Sequence, residues 1–409
     1  MTRSPDKPLL IQGSDRLLLE ITAEKKIIDF LQTEISKIAV LISAPEYVQT
    51  YKLSKVAVWN ALDLDINISG TLAELSKYTS GNIPPAFQDK INTWVRRYAG
   101  ILIKQDAAGQ QLSLLPDTSQ SDIKILRRVL ENELKLSRQG NSYILPLSRL
   151  YKVKEKLFNH DFNIKEQFCL KQGSKSDKLA AGEKPAFSYR NYQLEAAAAV
   201  TRSHKSGIIV MPCGAGKTVA GIKILTTLQV WTLIITPHKI ANQQWQRELI
   251  QKPGLKKEII ADYNQTGQTA PVTIVTYSQL NSRNCKLLQD TCRGLIIFDE
   301  CQFINDFLIN NLPLYYNTLK VGLTATPGKD EKTAAKIYNL IGPCLYKQDW
   351  KKMAGRGWIA RAVCREIRVP LARETRFKYY RSAASLKQKL ASLNLNKLTV
   401  CEKILNRHS

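Results

Sequence analysis

Short apolar runs alternate with longer amphipathic stretches along the second half of the chain, from about residue 186 onward. The runs GIIVM, TLIIT, VTIVTY, GLIIF and KVGLTAT each have the length and composition of a buried strand. Strands that are apolar throughout and separated by helical segments are typical of a parallel sheet covered by helices. The pattern therefore predicts an α/β fold over residues 186–370, with ligands bound beyond the C-terminal ends of the strands.

The segment before residue 186 has a mixed pattern. Residues 16–21 predict a buried strand, and residues 23–35 predict a helix that buries Ile27, Phe30 and Leu31. The stretch INTWVRRYAGILI predicts a helix that stops at Gly100 and leads into a strand. Two turn-rich or polar stretches, residues 105–122 and 171–185, predict the start of a connector and a linker.

These changes of pattern divide the chain into four predicted parts. We expect a small α+β domain over residues 1–110 and a connector over residues 111–185, with a small unit at 123–170. The α/β domain follows over residues 186–370, and a basic, mostly helical tail occupies residues 371–409.

The charge balance of the chain is strongly basic. Sixty Lys and Arg residues against 35 Asp and Glu residues give a net charge of +25. Such an excess favours a polyanionic partner, because binding releases counterions from phosphates. Residues 347–409 carry 16 of the basic and 4 of the acidic residues. Their helices present either a solvated basic face or a direct contact with DNA, and the sequence leaves both open.

Cysteines and histidines give no sign of a zinc site or a disulfide framework. The chain has eight cysteines without a Cys-x-x-Cys pair and only four histidines. Its N-terminal residues do not resemble a signal peptide, and no apolar run approaches the roughly 20 residues of a membrane span. We therefore predict a cytoplasmic protein with reduced thiols and no membrane partner, nucleoid-associated if the source is prokaryotic.

The segment IIVMPCGAGKT, residues 208–218, combines a short strand, a glycine-containing turn and a helix start. Because Gly214 and Gly216 lack a Cβ, backbone N–H groups can close around phosphate oxygens there, at the positive end of a helix. Lys217 is predicted to reach the β- and γ-phosphates of ATP, and Thr218 to ligate Mg²⁺. The usual form of this turn has a further glycine where this chain has Met211.

Two further strands end in polar residues that can act on the same nucleotide. The strand in GLIIFDECQ delivers Asp299, which can hold Mg²⁺ through water, and Glu300, which can orient and deprotonate the attacking water. The strand in VGLTATP ends in Thr324 and Thr326, whose hydroxyls can bond the carboxylates and relay the γ-phosphate state. Alone, either motif reads as ordinary loop residues. Their spacing from the phosphate-binding turn favours the catalytic interpretation.

Three other blocks supply candidate contacts. In RNYQ, Gln193 can pair with the adenine edge, and Arg190 or Tyr192 can stack or clamp. The full set predicted to bind ATP is Arg190, Gln193, Pro212, Cys213, Gly214, Ala215, Gly216, Lys217 and Thr218.

The blocks IITPHKIANQQW and IVTYSQL each end a strand in Thr and open a helix, where DNA backbone phosphates can bind. The candidates there are Thr236, Lys239, Gln243, Thr276 and Tyr277, each of which singly is more often a plain helix cap.

Taken together and in this order, these blocks resemble the first RecA-like domain of a superfamily 2 helicase, a P-loop NTPase. The segment MPCGAGKT is similar to the XPB-type branch, whose turn also lacks the first glycine. Residues 340–367, and the N-terminal stretches KPLLIQGSDRLLLEI and APEYVQTYKLSKVAVWNA, are similar to that branch as well. The resemblance covers about residues 7–104 and 187–370, and implies a RecA-like parallel sheet preceded by a small α+β domain.

The resemblance implies ATP-driven movement on DNA with 3′-to-5′ polarity, with ATP and Mg²⁺ as cofactors. It also implies a damage-sensing unit in the middle segment, in a protein of DNA repair or transcription. Gln302 stands where the branch usually has His, as a fourth catalytic candidate beside Lys217, Asp299 and Glu300. Lys329, Asp330 and Glu331 stand where the family carries an Arg-Glu-Asp triplet used in unwinding, and Lys329 becomes a DNA-binding candidate. Lys cannot make the bidentate contacts of Arg.

A motor of this class has a second RecA-like domain that supplies arginine fingers. Only 39 residues follow Pro370, whereas such a domain needs on the order of 100. We therefore expect an N-terminal portion of a motor that binds ATP-Mg²⁺ and DNA with little hydrolysis by itself. Its partners would be DNA at a single-strand/duplex junction and a separate second motor domain or a repair nuclease. The alternatives are a non-motor DNA-binding adaptor, half of a split motor, and the translocase subunit of a restriction enzyme, which the N-terminal resemblance disfavours.

Overall fold

The computed structural model describes residues 7–105, 111–119, 121–167, 173–180, 187–281, 293–311, 318–328, 330–348, 350–358 and 367–408. These residues belong to two compact units, 1–359 and 360–409. No helix among the described residues is long and apolar enough to cross a bilayer.

The first unit begins with a four-stranded antiparallel sheet in the order β1-β2-β4-β3. Its strands are β1 (Leu9–Gln12), β2 (Arg16–Glu20), β3 (Ala39–Ser43) and β4 (Val48–Leu53). Four helices share its core: α1 (Lys25–Ile35), α2 (Lys55–Asp63), α3 (Ile68–Lys77) and α4 (Pro85–Arg96). We call this part, residues 7–100, the N-terminal domain.

Two details of this domain differ from the sequence predictions. Helix α1 buries Ile28, Leu31 and Ile35, whereas Phe30 is 37% exposed. The buried stripe is therefore rotated from the predicted one, because the core of the domain lies on the side of the helix that carries Ile28. Helix α4 ends at Arg96, and the left-handed residue before the next strand is Ala99, with φ of 53°, rather than Gly100.

A five-stranded sheet follows, in the order β7-β8-β6-β5-β9. Its strands are β5 (Ile101–Gln105), β6 (Leu112–Pro116), β7 (Arg138–Gln139), β8 (Ser142–Leu145) and β9 (Ile164–Gln167), and α5 (Ile123–Arg128) and α6 (Leu150–Asn159) share its core. Strand β6 lies inside the stretch predicted to be a connector. Its alternate residues Leu112 and Leu114 are fully buried, so pairing with β5 and β8 overrides the flanking turn residues.

The rest of the first unit is built on a seven-stranded parallel sheet in the order β12-β13-β11-β14-β15-β10-β16. Its strands are β10 (Gly207–Val210), β11 (Thr232–Thr236), β12 (Ile260–Asp262), β13 (Val272–Thr276), β14 (Leu295–Asp299), β15 (Leu319–Thr324) and β16 (Cys344–Lys347). The five strands predicted from the apolar runs are confirmed, and so is the parallel arrangement. Two core clusters, one on each face of the sheet, are covered by helices.

The helices of this α/β domain are α7 (Asn191–Ser203), α8 (Lys217–Leu228), α9 (Lys239–Gln251), α10 (Tyr263–Thr266), α11 (Asp306–Asn311), α12 (Glu331–Leu340) and α13 (Trp350–Gly355). Helix α12 joins this domain to the parts before it. The Glu331 carboxylate accepts hydrogen bonds from Ser54 Oγ at 2.6 Å and from the Val56 N–H at 3.2 Å, at the start of α2. Tyr338 donates to Asp63 Oδ2 at 2.8 Å and accepts from Asn163 Nδ2 at 2.8 Å.

Within residues 367–408, the described part of the second unit, there are three helices, α14 (Arg373–Arg381), α15 (Ala384–Ser392) and α16 (Asn396–His408), so the helical prediction for this region is confirmed. Asn394 connects the segments before and after α14 and α15: its Oδ1 accepts from the Ala372 N–H at 3.2 Å, and its Nδ2 donates to Pro370 O at 3.0 Å. Aromatic side chains such as Phe377 are largely exposed here.

Candidate functional site

The turn between β10 and α8 has the conformation that a phosphate-binding loop requires. Gly214 and Gly216 have φ of 76° and 81°, which only glycine adopts without strain. Met211, in the place of the missing glycine, is fully buried, and its N–H donates to Thr324 O at 3.0 Å. Because Met211 extends the ladder between β10 and β15 before the chain turns, the two later glycines alone shape the loop.

The RNYQ block at the start of α7 forms hydrogen bonds with the backbone of this loop. Ala215 O accepts from Tyr192 Oη at 3.0 Å and from Gln193 Nε2 at 3.2 Å, and Gln193 Oε1 accepts from the Arg190 N–H at 3.1 Å. A Cβ on Gly216 would lie 2.5 Å from Gln193 Nε2. The Gln193 amide is thus buried and engaged with the loop. Its predicted contact with adenine stays a prediction.

The catalytic candidates converge at the C-terminal edge of the parallel sheet. Lys217 Nζ lies 3.2 Å from Glu300 Oε1. Gln302 Nε2 donates to Glu300 Oε2 at 2.9 Å, and Thr324 Oγ1 donates to Gln302 Oε1 at 2.7 Å. A chain of polar contacts therefore runs from the loop lysine, through the predicted base, to the strand-end threonine. Thr326 joins it because its N–H donates to Thr324 Oγ1 at 2.9 Å.

Asp299 lies deeper than Glu300 and is held by Trp245, whose Nε1 donates to Asp299 Oδ2 at 2.9 Å. Burial raises the pKa of Asp299, and the nearby Glu300 carboxylate raises it further. Glu300 itself has φ of 48° and ψ of 61°, a left-handed conformation that turns its side chain back toward Lys217. Backbone strain of this kind in a non-glycine residue is concentrated at functional sites.

Arg190 lies at the rim of the site. Its Nη1 donates to Tyr192 Oη at 3.1 Å and to Trp358 O at 3.2 Å, and the Trp358 ring lies 4.9 Å from the Tyr192 ring. Pro212 and Cys213 form the outer part of the loop, where Cys213 is exposed, and Thr218 is half-buried in the first turn of α8.

Comparison with known proteins finds relatives that align over nearly the whole chain. A model of the type III restriction enzyme res subunit family matches residues 186–329, and a model of the helicase conserved C-terminal domain matches residues 9–133. The DNA 3′-5′ helicase XPB of Mycobacterium tuberculosis is 28% identical, over 98% of this chain and 74% of that protein. The protein of the same name from Kineococcus radiotolerans is 29% identical, over 99% of this chain and 73% of that protein.

The chain is therefore similar to XPB-type helicases over nearly its whole length. A eukaryotic relative is similar over the same length: the general transcription and DNA repair factor IIH helicase/translocase subunit XPB of Encephalitozoon cuniculi, 23% identical over 98% of this chain and 62% of that protein. The similarity to XPB proteins thus extends through the N-terminal domain, the five-stranded sheet and the α/β domain.

The predicted DNA contacts fall into two groups. Lys239 and Gln243 are exposed on the first turns of α9. By contrast, Thr236, Thr276 and Tyr277 are buried and hydrogen-bonded inside the protein. Thr236 Oγ1 bonds Asn242 Oδ1, and Thr276 Oγ1 accepts from Asn264 Nδ2 at 3.0 Å. Tyr277 Oη donates to Asp299 O at 3.0 Å. These three side chains hold the strand ends in place. Of the candidates that the structure describes, Lys239 and Gln243 are exposed, and their contact with DNA stays a prediction.

Two residues of the triplet that resembles the XPB unwinding motif, Asp330 and Glu331, contact other parts of the chain. Lys329 lies outside the described residues. Asp330 caps α12, because its Oδ1 accepts from the Thr333 N–H at 2.9 Å, and Glu331 contacts α2 of the N-terminal domain. Both carboxylates thus have structural partners.

The sequence patterns did not predict two residues that contact this site. Trp245 occupies a position of α9 whose apolar spacing is that of any core residue, and Trp358 lies beyond the last motif. The block NQQW contains Trp245, but only the fold reveals that its indole N–H meets the carboxylate of Asp299.

Proposed function

We propose that the chain binds ATP with Mg²⁺ at the β10–α8 loop and uses it for 3′-to-5′ movement on DNA, as an ATP-dependent helicase or translocase of the XPB type. The observation that carries the proposal is the convergence of Lys217, Glu300, Gln302 and Thr324 in one chain of contacts beside a loop with two left-handed glycines. The direction of movement is supported by the bacterial relatives, which are named DNA 3′-5′ helicases.

The residues at the site fit a magnesium-bound nucleotide triphosphate. The backbone of Gly214 and Gly216 and the Lys217 ammonium would hold the phosphates, while Thr218 and Asp299 would hold Mg²⁺. In the described part of the chain, no group of three His, Cys, Asp or Glu side chains could hold a metal by itself. Mg²⁺ at nucleotide sites is usually bound through one or two carboxylates together with phosphate oxygens. When bound, Mg²⁺ would neutralise the negative charge that develops on the phosphates.

The protein's own groups then have separate tasks. Glu300, aligned by Gln302, is placed to orient a water molecule and to accept its proton. Lys217 Nζ lies 3.2 Å from Glu300 Oε1, so a bound phosphate would compete with Glu300 for the ammonium group. Thr324 contacts Gln302 and so links the base to the end of β15, the strand that precedes α12. The intact set supports a motor over a DNA-binding adaptor without a working nucleotide site.

The test of the nucleotide site is the affinity of the 409-residue chain for ATP in the presence of Mg²⁺. Lys217→Ala is expected to reduce that affinity at least tenfold, because it removes the cation that contacts the phosphates. Lys223→Ala is the matched control, since it removes the same charge from the same helix, where Lys223 packs on the ring of Tyr189. Equal affinities of the wild type and Lys217→Ala would contradict the assigned site.

The DNA half of the proposal rests on the net charge of +25 and on exposed Lys239 and Gln243. We expect affinity for a forked DNA duplex to fall steeply as salt rises, because binding releases counterions. A motor also requires ATP to change the DNA affinity. A DNA affinity that is identical with and without MgATP would favour the adaptor.

A further inference from the structure

Asp299, the carboxylate proposed to hold Mg²⁺, accepts hydrogen bonds from two residues, one in each of the two segments predicted to bind DNA. Trp245 of α9 donates its indole N–H to Asp299 Oδ2 at 2.9 Å. Tyr277, directly after β13, donates its hydroxyl to the backbone Asp299 O at 3.0 Å. Both donors are buried, so water does not compete for either bond.

Helix α9 connects the surface with this carboxylate. Lys239 and Gln243 are exposed at its start, and Trp245 lies six residues after Lys239, about 9 Å along the helix axis. Trp245 is fully buried, and its ring packs against α8: a Cβ on Gly221 would lie 2.7 Å from Trp245 Cη2. The ring is therefore held between the helix that follows the phosphate loop and the end of β14. In a close-packed core, a shift of α9 must move the indole and, with it, the Asp299 carboxylate.

We propose that Trp245 is a positioning residue that couples DNA contact at the start of α9 to Mg²⁺ and nucleotide binding at Asp299. This inference rests on the proposed function of the site. Tyr277 acts in the same direction on the backbone of Asp299, and its N–H donates to Thr236 O at 2.9 Å, which ties β13 to the end of β11 just before α9. Because coupling between two binding sites is reciprocal, DNA should change MgATP affinity by the same factor as MgATP changes DNA affinity.

The experiment measures this factor directly with the full chain. The dissociation constant of MgATP is determined with and without a saturating forked DNA duplex, and the ratio of the two values is the coupling factor. The ratio is formed within each variant, so a general loss of nucleotide affinity cancels. We expect a factor of about ten in the wild type, within the range of roughly 5 to 150 found for coupled sites. In Trp245→Phe, which keeps a ring and removes the N–H donor, we expect it to fall below about two.

Trp59→Phe is the matched control. Trp59 is also buried, and its Nε1 donates to Trp94 O at 3.0 Å, but both residues lie in the N-terminal domain. Its coupling factor should equal that of the wild type. Tyr277→Phe removes only the hydroxyl that contacts Asp299 O and should lower the factor independently. It decides the question if thermal unfolding shows that Trp245→Phe is not folded.

The outcomes separate this proposal from the proposed function. A wild-type coupling factor retained in Trp245→Phe and Tyr277→Phe would overturn the positioning role and leave the nucleotide and DNA sites intact. A wild-type chain that binds MgATP and DNA with no coupling would overturn it as well. A wild-type chain that binds neither would refute the proposed function itself. A factor lost in Trp245→Phe and kept in Trp59→Phe supports the coupling role.

Discussion

Lys320, in the middle of β15, is a buried ammonium group within the sheet. Burial lowers its pKa from 10.5 to about 8, and its Nζ donates to Thr318 O at 3.1 Å. Because the folded state prefers the neutral amine, the unfolded chain binds more protons between about pH 8 and pH 10.5. The stability of the protein should therefore rise with pH across this window.

Lys320→Met should stabilise the protein at pH 7, by about 1 to 2 kcal/mol once the lost hydrogen bond is subtracted. The measurement is urea unfolding of wild type and variant at pH 7 and pH 9.5. The advantage of the variant should shrink at the higher pH, where the wild-type amine is neutral when folded. An advantage that stays constant would mean that the charge of Lys320 is not the cause.

Gly216 shows how closely the loop is fitted to its surroundings. Gly216→Ala adds backbone strain at φ of 81° and a contact of 2.5 Å with Gln193 Nε2, whereas Gly214→Ala adds strain at φ of 76° in open space. We expect Gly214→Ala to lower the free energy of unfolding by about 1 kcal/mol and Gly216→Ala by more, about 2 to 3 kcal/mol. Thermal unfolding of both variants checks this, and equal losses would show that the contact with Gln193 adds nothing.

At the scale of elements, the residue that caps helix α2 also contacts the α/β domain. Ser54 Oγ accepts from the Ala57 N–H at 3.2 Å and donates to Glu331 Oε2 at 2.6 Å. Asn67 caps α3 in the same domain, accepting from the Gly70 N–H at 3.0 Å, but it is exposed. The two caps differ chiefly in the second contact of Ser54.

We expect Asn67→Ala to cost about 1 kcal/mol of stability, as an ordinary cap does. Ser54→Ala should cost about 2 to 3 kcal/mol, because it also leaves the partly buried Glu331 carboxylate short of a donor. The measurement is the free energy of unfolding of both variants in urea. Equal losses would show that the contact with Glu331 does not contribute to stability.

The elements also show what sequence can and cannot predict. The five apolar strands of the parallel sheet were predictable because burial on both faces leaves continuous hydrophobic runs. Strand β6 was not, because its residues alternate over only five positions between turn formers and its strand state comes from pairing with β5 and β8. Lys217, Glu300 and Thr324 could be placed together because strand ends in a parallel sheet share one edge. The burial of Thr236, Thr276 and Tyr277 depends on side-chain packing that no local pattern encodes.

For the molecule as a whole, α12 is the element through which the α/β domain contacts the N-terminal domain. Glu331 contacts the start of α2, and Tyr338 bonds Asp63 and Asn163 in a partly buried network. Burial raises the pKa of Asp63. The two regions should therefore unfold cooperatively.

Glu331→Ala should loosen this junction and make the chain between the domains more sensitive to limited proteolysis, with a loss of about 2 kcal/mol of stability. In a cycle with Ser54→Ala, the two losses should be clearly non-additive, since the residues share one contact. Asp306→Ala serves as control. Asp306 in α11 is an exposed carboxylate 3.7 Å from Lys336, which lies in α12 with Glu331, and its removal should change the stability little. Additive losses in the Ser54 cycle would contradict the shared contact.

The exposed thiol of Cys213, at the tip of the nucleotide loop, makes the site accessible to alkylation chemistry. Of the cysteines that the structure describes, Cys301 and Cys344 are buried, and burial raises the pKa of both thiols, so they should react slowly with iodoacetamide. Cys401 is exposed like Cys213 but lies in α16 and supplies an internal standard. Mass spectrometry can thus compare labelling at the two positions, and protection of Cys213 alone by MgATP would give a footprint of nucleotide occupancy that needs no turnover.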